Sequence, residues 1–427
     1  MPRSNNPPPR SEREAFLADV IEHPEDDAPR LVYADWLEDH GDADRAAFIR
    51  LQCELAKLEE WDARRPELER RQKRLLRLYA SEWSDGLVKD ARGREFRRGF
   101  LERVGVPPKV FLANAEDLFR RFPLRQLTLG SSSFGDPAVR ALAASPHLAR
   151  LAELKVPYSR MTLAGLEALI RSPHIRGLKV LDVDFNRVRP EGARVVAESP
   201  NLSGLTALIL RDCKIGSAGA AALAGSPHLG RLEKLDLMRN DIDDDGAVAL
   251  AESSHLTNLV ELSLWSNRVG PTGVRALASA HRPRLNRLYL SVNPLGLEGV
   301  KALAASPSVR RLSRLGLGVV RLRAADADRV AAARALARSP HVAGLKSLGL
   351  FRNHVGDAGA RALAESPHLA NLADLDLFEN DITDAGSQAL LDSPHLAGLR
   401  RLNLSGNAVG PKQRALWRKR LGKNAII

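Results

Sequence analysis

Two cysteines, Cys53 and Cys213, are all that a chain of 427 residues contains. Two thiols cannot build a disulfide framework, so the chain is expected in a reducing, cytoplasmic compartment. No apolar run approaches the roughly 18 to 20 residues needed to span a bilayer, and residues 1–10, with Pro2, Arg3 and Pro7 to Pro9, lack the apolar core of a signal segment. Membrane insertion is not expected, and 1–10 reads as a disordered tail. Enzyme signatures are missing too: no Gly-x-x-x-x-Gly-Lys-Ser/Thr phosphate loop, no Gly-x-Ser-x-Gly elbow, no His-Glu-x-x-His and no Cys-x-x-Cys. The expectation is a non-enzyme without cofactor or metal. Positive charge is in excess, at +12, which invites a nucleic-acid reading because Lys/Arg patches release counterions from phosphates. The distribution argues against it: Arg140, Arg194, Arg275 and Arg361 are scattered among acids over the predicted helices.

What the chain does have is one phrase repeated about eleven times. A clear copy is Leu232-Glu-Lys-Leu235-Asp-Leu237-Met-Arg-Asn240-Asp-Ile242, then Gly246-Ala-Val-Ala-Leu250-Ala, then a Ser-Ser-His-Leu256 turn. The Asn240 position recurs as Ser132, Ser159, Asn186, Cys213, Asn240, Asn267, Asn293, Val320, Asn353, Asn380 and Asn407. The step is 27 residues, except 26 into Asn293 and 33 into Asn353. Leucines fixed against such a period predict a solenoid. Leu235 and Leu237 alternate with Asp236 and Met238, which predicts a short strand with one face inward. Asn240 ends that strand, where its amide can satisfy backbone groups of its turn and of the next coil. The Ala/Leu segment after Gly246 has helical spacing, and the Ser-Pro-His-Leu of most copies stops it because proline cannot continue a helix. One unit cannot bury its leucines alone; stacking makes a continuous core with strands on the inner curve and helices outside.

The pattern, over roughly residues 121 to 410, resembles leucine-rich repeats of the ribonuclease-inhibitor class, which includes the Ran GTPase-activating proteins. The resemblance implies an α/β horseshoe of about eleven coils, with a parallel concave sheet and convex helices. It departs at unit eight, where Val320 replaces asparagine and residues 321–330 lengthen the connection; that coil is expected to be irregular and the weakest of the array. GTPase activation stays a remote alternative, since those proteins carry an acidic C-terminal tail and this chain ends basic.

Residues 11–95 read as a small all-α domain of four helices, from Phe16-Leu-Ala-Asp-Val20, Leu31-Val-Tyr-Ala-Asp-Trp36 and Phe48-Ile-Arg-Leu51, with breakers at Pro24, Pro29 and Gly41. Acids from Glu14 to Asp44 face a basic run from Arg64 to Arg77, and the two blocks are expected to pair or be solvated. The run Arg30-Leu-Val-Tyr-Ala-Asp-Trp-Leu-Glu-Asp-His-Gly-Asp resembles a small bacterial repeat-companion domain, a resemblance that implies architecture and no chemistry. Asp35, Asp39, His40 and Asp42 could ligate a metal; helix capping around Gly41 accounts for them more simply. Residues 96–123 read as linker and N-terminal cap, 124–410 as the solenoid, and 411–427 as a basic tail with a cap helix in which Ala415, Leu416 and Trp417 cover the last coil. The histidine row His147, His174, His228, His255, His341, His368 and His395 belongs to one repeated turn, which explains it without a metal.

That leaves the surface. The positions flanking the second and third leucines point to the concave side. There Met238, Trp265, Tyr289, Phe351 and Phe378 have no core to fill, and Lys234, Asp236, Arg287 and Asp376 stand beside them. Aromatic anchors among mixed charges suit a protein partner bound on coils five to ten by a monomer. The alternative from another class is an acidic ligand or nucleic acid bound by the basic segments.

Overall fold

The computed structural model describes residues 12–59, 62–84, 87, 91–130, 134–320 and 326–427. The expected tail 1–10, the ladder position Ser132 and the connection 321–325 lie outside them.

Four helices open the chain: α1 (Glu12–Glu22), α2 (Ala28–Asp39), α3 (Ala43–Lys57) and α4 (Arg65–Tyr79). Gly41, with φ +88°, lets the chain leave α2, and the Asp42 carboxylate accepts the Arg45 N–H to start α3. Three of the four residues considered as metal ligands have partners of their own, Asp42 in this cap. Asp35 pairs with Arg50, and His40 stacks on Trp36. Asp35 and Glu38 pair with Arg50, and Glu25 and Asp27 with Arg98, rather than with the basic run on α4.

A hairpin of β1 (Arg92–Arg97) and β2 (Phe100–Val106) follows, β1 beginning inside the segment read as helical. Gly99 at its tip has φ +90° and lies against Ile49 of α3, where any Cβ would collide. Its N–H donates to Gln52 (2.7 Å), and the buried Arg30 guanidinium of α2 donates to Glu102 of β2 (2.6 Å). The helices are therefore fastened to the first strands. Arg45 is buried among the rings of Phe48, Trp83, Phe96 and Phe100, and burial pushes its pKa down to about 10. α5 (Pro108–Arg121) then starts at Pro108, whose fixed φ suits the first turn of a helix.

From Gln126–Leu129 onward each coil gives one short strand, and all are parallel in one sheet with the hairpin at its leading edge. Register is strict: the strand leucines Leu208, Leu235, Leu262, Leu288, Leu315 and Leu348 pair side by side. Helices, most of nine residues such as Asp244–Glu252, return the coils. Helices pack about 8–10 Å apart and strands about 4.8 Å, so the sheet takes the inner curve.

Two hydrogen-bond ladders hold the coils together. In the first, Asn240 accepts from the N–H groups of Cys213 (3.0 Å) and Ile215 (3.3 Å) and donates to the carbonyl of Leu210 (2.7 Å). Asn267 does the same one coil on. The amide thus reaches the preceding coil, not the following one as expected. Cys213 keeps the position with its thiol 3.4 Å from the Val183 carbonyl, fully buried. The second ladder is the serine of the Ser-Pro-His-Leu turn. Ser226 donates to Ala197 of the preceding helix end and accepts the His228 N–H. Ser172, Ser253, Ser306, Ser339, Ser366 and Ser393 make the same donation.

Val320 interrupts the first ladder. It donates its N–H to Asn353, but its side chain offers nothing back, and the Leu295 N–H turns to Asn293 O instead. The helix of this coil, Asp326–Arg338, takes up four of the six extra residues and runs to 13 against nine in most coils. A void of about 10 Å³ lies beside Val320, among Leu317, Leu336 and Val300. At the other end Trp417, in the helix Pro411–Leu421, is fully buried and donates its indole N–H to Ser387 (2.9 Å). Gln413 is buried beside it, whereas Ala415 and Leu416 face solvent, contrary to expectation. Alanine and leucine at those two positions lie on the outer side of the helix. A last strand, Ala425–Ile426, extends the sheet.

Candidate interaction surface on the concave face

Three rows of side chains run across the strands on the inner face. The first holds Glu153, Lys234, Glu261, Arg287, Arg314, Ser347, Asp374 and Arg401; the second Asp182, Asp236, Ser263, Tyr289, Gly316, Gly349, Asp376 and Asn403. The third, two residues further, holds Asp184, Arg211, Met238, Trp265, Ser291, Gly318, Phe351 and Phe378.

On the N-terminal half these rows neutralise themselves. Arg103 pairs with Glu95 (2.6 Å) and Glu153 (3.4 Å), and Lys155 also holds Glu153 (3.0 Å). Arg211 bridges Asp236 (2.8 Å) and Asp184 (3.8 Å). Glu261 sits between Lys234 (2.8 Å) and Arg287 (3.1 Å), and these two cations hold its carboxyl below the usual range against the opposing effect of burial. Among the expected site residues, then, Lys234, Asp236 and Arg287 are tied into internal ion pairs, and Asp236 is buried. Asp184 is pushed up to about 7, first by burial and then by repulsion from Asp182, with the Arg211 N–H and guanidinium opposing. Its paired environment went unread because Asp182 and Asp184 look like ordinary solvated strand acids.

The C-terminal half is different. Gly316 and Gly349 occupy neighbouring second-row positions, and the missing side chains open a recess of about 170 Å³. Trp265, Tyr289 and Phe351 line one side; Asp374, Asp376, Arg401 and Asn403 line the other; Arg314 and Ser347 also contribute. Trp265 and Phe351, three coils apart, stack with centroids 5.4 Å apart across Ser291 and Gly318, and the Phe351 ring lies where a Gly318 Cβ would be. The recess therefore brings together Trp265, Tyr289, Phe351 and Asp376 from the expected set. Met238 and Phe378 lie outside it on the third row; Phe378 is covered by the Arg352 guanidinium (5.3 Å), which pairs with Glu379 (2.6 Å). Reasoning from the sequence looked for large side chains and passed over the glycines. The signal was present: two glycines in succession in a row otherwise charged, polar or apolar.

Family comparison fits this geometry. Residues 204–224, 232–251, 255–278, 345–364 and 368–391 match the model of the leucine-rich repeat. The coils are leucine-rich repeats. No curated protein matches the chain significantly. Among solved structures it is similar to a chain of the yeast Rad7–Elc1 complex, at 15% identity over 95% of this chain and 96% of that one, TM-score 0.50. An internalin from Listeria monocytogenes aligns at 19% identity over 67% and 76%, TM-score 0.39. A leucine-rich-repeat protein of Leptospira interrogans aligns at 18% over 75% and 74%, TM-score 0.30. Within the leucine-rich-repeat array and before it, no helix among the described residues is long and apolar enough to cross a membrane, and no group of three or more metal-ligating side chains gathers among them.

Proposed function

We propose that the chain is a non-enzymatic protein-interaction scaffold, a monomer of the cytoplasm, that holds a protein partner on the concave face of coils five to ten. The observation that carries this is the group of large apolar side chains on the second and third rows: Met238, Trp265, Tyr289, Phe351 and Phe378 are half-buried outside the leucine core. Six coils offer a strip of roughly 25–30 Å, enough for a conventional interface. Lys234, Asp236 and Arg287 make an ion-paired frame beside these anchors, and Asp376 lines the recess with them. The yeast structure with the same fold is itself a complex of two proteins. The helices of 11–95 act, in this reading, as a repeat-companion domain that caps the ribonuclease-inhibitor-like array. The test is a captured partner challenged with the Trp265→Ala/Phe378→Ala double variant: affinity falls by about 2 kcal/mol or more for true anchors. Unchanged affinity refutes the concave-face assignment.

One observation favours the second reading, an acidic or nucleic-acid ligand. On α4, Arg71, Lys73, Arg74 and Arg77 are exposed and have no ion-pair partner among the described residues. Binding through them weakens steeply between low and moderate salt, whereas binding in the aromatic strip does not.

A further inference from the structure

The recess floored by Gly316 and Gly349 has a chemistry of its own. Asp376 stands at its end, half-buried, one oxygen accepting the Phe378 N–H (3.1 Å). Asp236 and Glu261, at comparable places in earlier coils, are matched by cations within 3.1 Å. Asp376 has no ion-pair partner among the described residues, although the Asn403 side chain hydrogen-bonds it and Arg401, 4.0 Å from its neighbour Asp374, attracts it from a distance; the Ser347 hydroxyl also approaches Asp374 (3.3 Å). A half-buried carboxylate not engaged in an ion pair shares the cavity with Trp265, Tyr289 and Phe351. Aromatic faces attract organic cations, and a carboxylate away from bulk water attracts them more strongly than one in it. The room, about 170 Å³, is far more than one water needs and suits a single long side chain. Arg314 and Arg401 also line the recess and offset its two aspartates, so a bare inorganic cation gains little there, whereas a flat cation gains from the aromatic faces as well.

Resting on the concave-face reading, we infer that this recess is the socket for one arginine side chain of the partner protein, its guanidinium forked onto Asp376 and stacked on Trp265 or Tyr289. Arginine fits better than lysine because its planar, weakly hydrated head can stack and fork at once.

The structure supplies a clean control. A Cβ on Gly349 meets nothing closer than the Gly316 Cα at 3.8 Å, and the residue has an ordinary strand backbone. Gly349→Val therefore fills the socket while suiting the strand. With 5-fluorotryptophan in the full chain, the Trp265 fluorine resonance is assigned by Trp265→Phe and followed during titration with N-acetyl-arginine amide, N-acetyl-glutamate amide and N-acetyl-leucine amide. The arginine probe is expected to shift it saturably with Kd in the low millimolar range, about that of one well-placed group. Asp376→Asn weakens this at least tenfold, and Gly349→Val abolishes it with melting unchanged. Equal or tighter binding of the glutamate or leucine probe overturns the inference, as does no arginine shift by about ten times that concentration. The two readings fail separately. If Gly349→Val blocks a captured partner while arginine shows no preference, the concave site stands and the arginine socket falls. If the Trp265→Ala/Phe378→Ala variant leaves partner affinity intact, the site itself falls.

Discussion

Exchanging side chains between Asn240 and Val320 tests what holds the coils together. Asn240→Val removes an acceptor shared by the N–H groups of Cys213 and Ile215 and the donor to the Leu210 carbonyl, all fully buried with it. Three buried polar groups left unmade, at about 1–3 kcal/mol each, cost roughly 3–6 kcal/mol after the small gain from burying a valine. Val320→Asn runs the other way. The position is 1% exposed, the preceding residue Val319 has the same left-handed φ (+53°) as Arg239 before Asn240 (+58°), and a small void adjoins it. The new amide can recover two or three bonds to coil seven, each worth about 1 kcal/mol net, against the cost of burying it. We expect stability between unchanged and about 2 kcal/mol higher. Urea unfolding followed by circular dichroism gives the totals. Amide exchange then localises them, because a long array can open in parts. It should show coils four and five loosened in the first variant, and coils seven to nine, the least protected in the parent, tightened in the second. A loss under about 1 kcal/mol for Asn240→Val, or equal losses for both variants, refutes the ladder argument.

Ser226→Ala removes the donation to Ala197 and should cost about 1–2 kcal/mol, read by the same unfolding curve; no loss means the serine ladder is incidental. Asp184 titrates near 7 in the fold and near 4 when unfolded, so the folded state binds the extra proton between those values and stability falls as pH rises from about 4 to 7, then levels. Burial also raises the Asp182 and Asp376 carboxyls and adds to this slope. Asp184→Asn should flatten part of it and gain about 1 kcal/mol at pH 8, measured by melting across pH; an unchanged slope contradicts the assignment. The Cys213 thiol, pushed up to about 12 by burial, should resist labelling of the native protein, and Cys213→Asn should fold normally, whereas Cys213→Asp buries a charge at a cost of several kcal/mol. Rapid modification would refute it.

Whatever repeats was legible from the amino acids. The leucines, the strand-ending Asn240 and the Ala-rich helices each occur many times, so a single assignment is checked by its copies. Direction was not legible, because a period says that Asn240 bonds to a neighbour and not which one. Nor was the serine ladder: proline beside Ser226 explains the helix stop sufficiently, and the hydroxyl's second role needs the preceding helix end in place. Features that occur once fared worst. Arg92–Arg97 is too polar to announce a strand, and its pairing comes from β2. Ala415, Leu416 and Trp417 are equally apolar neighbours, and only helix phase decides that Trp417 turns inward. At the recess the decisive residues are glycines, which act through the space they leave.

A stack of near-identical coils has the weakness of a ruler without numerals: a partner reading one row of side chains could dock equally well one notch along. The coil of 33 residues at Val320, with bare glycine on its own strand and the next, breaks that translational symmetry at one place. Whatever lies along the sheet has a single phase in which its bulk meets the gap, so the irregular coil is also the mark from which position along it can be counted.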